Sequence, residues 1–271
     1  MTLKTTNNKQ LCDYESLKRY LLLESLLPSR IPQEIRDELE DMIKPANFGI
    51  ENVMEDLSEY LFNDKFEKIV SASAEIFGSS EIECAKFLLS RGLSLCDEPE
   101  PMYFNFLLVA AFLRESAFNF YLNYKCYRMF YICDFCFDVL YNRFFWKVFE
   151  SREVYEKLEL FCQKFLKHFP RDTTEGEFQD STFGKNCIHL VEERFNVSNE
   201  SFSLSESEVE MFEKFYSMEN NAKHEERPIL RETENAEDEC FDAREYYSSD
   251  CETCDSKCFD YLNYINSLYK K

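Results

Sequence analysis

The sequence predicts an all-α protein: an irregular antiparallel array of helices, either a bundle or a short α-solenoid, followed by a partly disordered acidic tail. Three observations carry this reading. Glycine (5) and proline (7) are scarce in 271 residues, and those residues supply the backbone angles of tight β-hairpins. Apolar residues recur at steps of three and four through most of the first 170 positions. The polar breaks between these runs are short, and short connections between amphipathic helices make antiparallel neighbours.

The elements follow in order. Residues 1–10 read as a flexible start and 11–170 as the helical domain. Asp13 can cap a helix running to about Leu27, with Leu17, Tyr20 and Leu21 in register, and Pro28 stops it. Pro32 opens a second helix, in which Ile35, Leu39, Met42 and Ile43 share a face. Helices at 50–62 and 64–77 are expected on either side of a capping Asn63, with Gly78 closing the latter. Ser80 and Glu83 have the spacing of a capping box, and Gly92 is expected to end that helix. Residues 102–150 hold no Gly or Pro. A single helix of that length would reach about 75 Å, so breaks are expected near Glu115–Asn119 and near Asn123–Lys125. Ser151 can cap a helix ended by Pro170, with Val154, Leu158, Phe161 and Phe165 as its apolar stripe. The succession resembles a stack of HEAT or armadillo hairpins, although no repeat period is visible.

Beyond Pro170 the composition changes. Residues 171–222 read as linker with one or two short helices: the stretch 171–186 is polar, Cys187–Phe195 is amphipathic, and Ser205 can cap a helix bearing Val209, Phe212, Phe215 and Tyr216. Residues 223–250 are aperiodic and acidic, expected to be disordered. Residues 251–271 form a cysteine-containing segment and a C-terminal amphipathic helix.

Of the net charge of −21, a net −14 falls on residues 171–271, with 11 Lys and Arg against 25 Asp and Glu. Such a field repels a phosphate backbone, so direct nucleic-acid binding is not expected and a protein partner with a basic surface is. The longest charge-free run of the aromatic centre, 101–113, is too short to span a bilayer, which needs about 20 residues. The first residues lack the apolar core of a secretory leader. The 12 cysteines are therefore expected as reduced thiols, in a cytoplasmic or nuclear protein.

Little here points to catalysis, and no catalytic residue is nominated. No phosphate-cradling glycine loop is present. Cys187 and His189 could be drawn as a nucleophile and base, but no third orienting group is apparent. Cys126, Cys133 and Cys136 lie in an apolar helix, where cysteine packs as a small hydrophobe. No cofactor is expected beyond a structural zinc. Cys240, Cys251, Cys254 and Cys258 could provide four thiolates for it, two of them across a two-residue gap. The final helix places Phe259, Leu262, Ile265 and Leu268 or Tyr269 at three-residue steps, flanked by Tyr261 and Tyr264. That stripe can dock in a partner's groove or fold back on its own domain. The expected function is a non-enzymatic interaction protein, an adaptor or regulatory subunit. The alternatives are an acidic chaperone or mimic for a basic client such as a histone or ribosomal protein, and a small zinc-stabilised C-terminal binding module.

Overall fold

A computed structural model describes residues 7–24, 48–72, 80–96, 100–124, 126–196, 202–222 and Tyr261. Every regular element among them is helical. In chain order these are α1 (Asn7–Glu24), α2 (Phe48–Ala72), α3 (Glu81–Ser94), α4 (Met102–Tyr124), α5 (Arg128–Leu140), a π-helical turn (Tyr141–Phe145), α6 (Trp146–Glu150), α7 (Arg152–His168), α8 (Glu175–Asp180), α9 (Thr182–Asn196) and α10 (Glu206–Ala222). The helix expected from Pro32, Gly78 and the acidic stretch 223–250 lie outside the described residues.

At the centre is α5, in which every residue except Asp138 is buried. It packs against α1, α3 and α4, while α2 lies along α4 and α7. A helix that is apolar on all sides must be enclosed on all sides. "FYICDFCFDVL" is such a sequence, and Cys133 and Cys136 pack within it as the expected small hydrophobes.

Several boundaries differ from expectation, most of them where a distant contact intervenes. Helix α1 begins before Asp13, which lies inside it. Tyr14 holds that turn: its ring stacks on Tyr141 at 3.8 Å and its hydroxyl donates to the Phe137 carbonyl at 2.9 Å. Helix α2 runs straight through Asn63, an exposed residue on a continuous helix rather than a cap. Helix α4 does not break at Glu115–Asn119. There the Glu115 carboxylate accepts from Ser58 of α2 and, at 2.5 Å, from Asn119 one turn on. Arg114 reaches Glu55 at 3.4 Å. These polar residues join α2 to α4 instead of marking a loop. The second expected break is present, and α5 turns back along α4.

Ser80 caps α3 as expected, its hydroxyl accepting from the Glu83 amide at 3.4 Å. Glu83 turns to Lys86 instead of closing the box. Gly92 does not end the helix. It is buried inside α3, where a Cβ would stand 3.2 Å from Leu140 Cδ1. The glycine serves the close approach of α3 to α5.

The stretch 171–186, read as linker, instead folds onto the core. Thr174 and Glu177 form a complete capping box at the start of α8, which buries Phe178 entirely. Ser181 Oγ then donates to the Phe178 carbonyl at 2.7 Å and accepts from the Gly184 amide at 2.9 Å, setting the corner into α9. A Cβ at Gly184 would fall 1.9 Å from the Phe178 carbonyl oxygen. Gly184→Ala must therefore push α8 and α9 apart. The expected loss is about 1–3 kcal/mol, typical of overpacking against backbone, read from the midpoint of denaturant unfolding.

Candidate functional site

Three helices that are remote in sequence converge on one cleft of about 240 Å³. Pro101 accepts the first backbone hydrogen bonds of α4, from the amides of Phe104 and Asn105. Glu100 is thereby set just ahead of the helix, with Tyr103 and Phe104 in its first turn. Phe161 enters from α7. Phe183, Cys187 and Leu190 enter from α9, at the four- and three-residue steps of one helix face.

Four rings form the wall. Phe161 lies 5.8 Å from Tyr103, 5.5 Å from Phe104 and 6.3 Å from Phe183, inclined to them by 49°, 65° and 47°. The rim is polar, with Glu100 and the exposed Asn186. Among the described residues Glu100 has no ion-pair partner. Burial, with a smaller contribution from the charge of Glu100, pushes the Cys187 thiol up to about 12. It is therefore a poor nucleophile near neutrality. His189 is exposed and faces Glu193 at 3.7 Å. Residues two apart on a helix point to different faces, so Cys187 and His189 do not form a catalytic pair.

A second, more polar cleft of about 370 Å³ lies beside His168, Asp172, Thr173, Glu177 and Ser181. Its polar groups hold the chain together. Glu177 accepts from Thr174 at 2.8 Å, Ser181 sets the α8–α9 corner, and the Thr173 carbonyl accepts from the Tyr60 hydroxyl at 3.0 Å. The aromatic cleft is the better candidate for a ligand. Its signal in the sequence was faint, because no local motif joins residues drawn from α4, α7 and α9.

Comparisons with protein-family models, with curated proteins and with solved structures return no match.

Of the residues nominated from the C-terminal stripe, Tyr261 is described. It is 1% exposed, stacks on Tyr131 at 5.6 Å and donates a hydrogen bond to Glu81 at 2.8 Å. At this residue the segment touches its own domain. Phe259, Leu262, Tyr264, Ile265, Leu268 and Tyr269 lie outside the described residues, as do Cys240, Cys251, Cys254 and Cys258. No group of three or more His, Cys, Asp or Glu among the described residues could hold a metal ion. No helix among them is long and apolar enough to cross a membrane.

Helix α10 covers the same side of α5 as Tyr261. Ser205 caps it, exchanging hydrogen bonds with Glu208. Phe212 packs on Phe135 at 4.8 Å, and its carbonyl accepts from the Tyr131 hydroxyl. Arg143 of the π-turn grips Glu208 through two nitrogens and lies over the Phe202 ring at 4.6 Å.

No local pattern announces the charge cluster that forms between α1 and α5. Lys18, 5% exposed, lies 2.6 Å from Asp138, 3.1 Å from Asp134 and 3.4 Å from Glu15. Burial opposes the Lys18 charge, but the carboxylates outweigh it and hold its pKa well above the usual lysine range. Asp138 is pushed the other way for an acid, up to about 7, by burial. Lys18 opposes that rise and Asp134 adds to it. One ammonium thus faces two carboxylates, which compete for a single cation.

Proposed function

We propose that this chain is a non-enzymatic interaction protein, an adaptor or regulatory subunit, that seats a protein partner in the aromatic cleft of its helical domain. The observation that carries this reading is the combination found there: an apolar ring wall, a polar rim, and a carboxylate engaged with no cation among the described residues. Recognition surfaces are built this way, with aromatic anchors inside a polar margin. The enclosure of α5 by its neighbours favours a bundle over an open solenoid. The acidic C-terminal region adds long-range attraction for a basic partner.

A second reading, capture of a basic client by charge alone, draws on the net charge of −21. The two differ at a single residue. Asn186 is exposed on the cleft rim, so Asn186→Trp fills the opening with little effect on the core. Partner recovery by affinity capture is expected to fall at least tenfold relative to the unaltered chain, and to persist in unaltered protein as salt is raised. Charge capture gives the opposite result: Asn186→Trp is silent, and recovery collapses once the Debye length shrinks to about 3 Å at 1 M salt.

A further inference from the structure

We propose that the cleft takes the side chain of a lysine from a basic protein partner, its ammonium set against Glu100 and its stem across Tyr103, Phe161 and Phe183. This assignment rests on the reading of the cleft as a partner seat and names what fills it.

Size comes first. At about 240 Å³ the cleft is smaller than the roughly 300–1,000 Å³ typical of small-molecule sites, and suits one side chain. Charge comes next. Ring faces carry negative quadrupole density and attract cations within about 6 Å. The rings around Phe161 are inclined to it by 47–65°, so the wall is a cup rather than parallel plates. A compact tetrahedral ammonium fits a cup, whereas a planar guanidinium stacks better on a plate and prefers a bidentate carboxylate. Glu100 brings a formal negative charge to the rim, near enough to raise the Cys187 thiol.

Among the described residues no cation pairs with that carboxylate. Lys157, whose charge interacts with Tyr103, is already held by Glu153 at 2.7 Å. A phosphocholine headgroup also carries an alkylammonium, but its phosphate would meet Glu100 and a chain of net charge −21. A lysine on a basic protein surface brings no such anion.

The test is titration calorimetry of the full chain with a short lysine peptide, its acetyl-lysine and arginine counterparts, and phosphocholine. The lysine peptide is expected to bind at least tenfold more tightly than the other three. Glu100→Gln should weaken it at least tenfold. The charge-matched Glu213→Gln, at an exposed position on α10, should leave it within twofold. Equal binding of the acetylated peptide overturns the proposal, as does tighter binding of arginine or phosphocholine. Equal effects of Glu100→Gln and Glu213→Gln also overturn it, since they mean attraction by diffuse charge. If Asn186→Trp abolishes partner recovery while the lysine peptide fails to bind, the seat stands and the lysine assignment falls. If Asn186→Trp is silent, the seat itself falls.

Discussion

Lys18→Met is expected to destabilise the fold by roughly 3–5 kcal/mol at neutral pH, the usual cost of removing one partner from a buried charge cluster. The methionine matches the stem in volume, so packing is largely kept. What disappears is the cation shared by Asp134 and Asp138 at 3.1 and 2.6 Å. The buried Asp134 and the partly exposed Asp138 are then left without their shared cation. The loss should shrink in acid, where Asp138 takes up a proton. Asp138 sets a second, opposite-facing dependence in the unaltered protein. Folded, its carboxyl holds a proton up to about pH 7; unfolded, it releases the proton near the ordinary value of 3.8. Between those limits the folded chain binds more protons than the unfolded one, so this residue's contribution is full below about pH 4. It declines as pH rises toward 7 and is flat above. Asp56, raised to about 6 mainly by burial, acts in the same direction over a narrower window. Asp138→Asn should flatten that slope and leave stability at pH 7 unchanged or improved, whereas Lys18→Met lowers it. Denaturant titrations of the three proteins between pH 4 and 8 check both signs. Equal stability of Lys18→Met and the unaltered chain at pH 7 would show that the cluster is solvated.

The elements that could be read along the chain are those whose signals are local. Helix α7 begins just after Ser151 and ends before Pro170, although the Ser151 side chain makes no capping hydrogen bond. Its stripe packs as its spacing requires, with Leu158 and Phe165 buried. Ser205 caps α10 through a hydroxyl and a glutamate three residues on. Misreadings arose where a polar or small residue answers to a distant partner. Glu115 looks like a surface breakpoint until Ser58, on another helix, meets it. Gly92 looks like a helix stop until Leu140 packs against its missing side chain. Thr174 and Glu177 did carry a local capping signal, but Gly176 and the polar composition around it read as linker. The cleft lay beyond sequence reading for a stronger reason. Its ring wall exists only after α4, α7 and α9 have converged, and no spacing within one helix encodes that meeting. Tyr261 is similar: its place in an apolar stripe was legible, but Tyr131 and Glu81 as its partners were not.

Phe178→Ala is expected to cost about 3–5 kcal/mol, the range for truncating a fully buried aromatic ring. Its ring stacks on Tyr60 of α2 at 4.6 Å and lies 5.1 Å from Phe169 and 6.2 Å from Phe183. It is the link between the corner after α7 and the body of the domain. The consequence extends to the cleft, since Phe183 belongs to both the Phe178 cluster and the ring wall. A cavity behind Phe183 lets that ring shift, so lysine-peptide affinity should fall along with stability. Phe178→Leu fills most of the volume and should lose about 1–2 kcal/mol with the cleft largely intact. The ratio of the two effects separates loss of packing from loss of folding. A Phe178→Ala protein that unfolds at the unaltered denaturant midpoint would mean that residues 171–196 lie outside the cooperative unit. They would then behave as the linker their composition resembles, and the cleft would lose the rigid wall on which its selectivity depends.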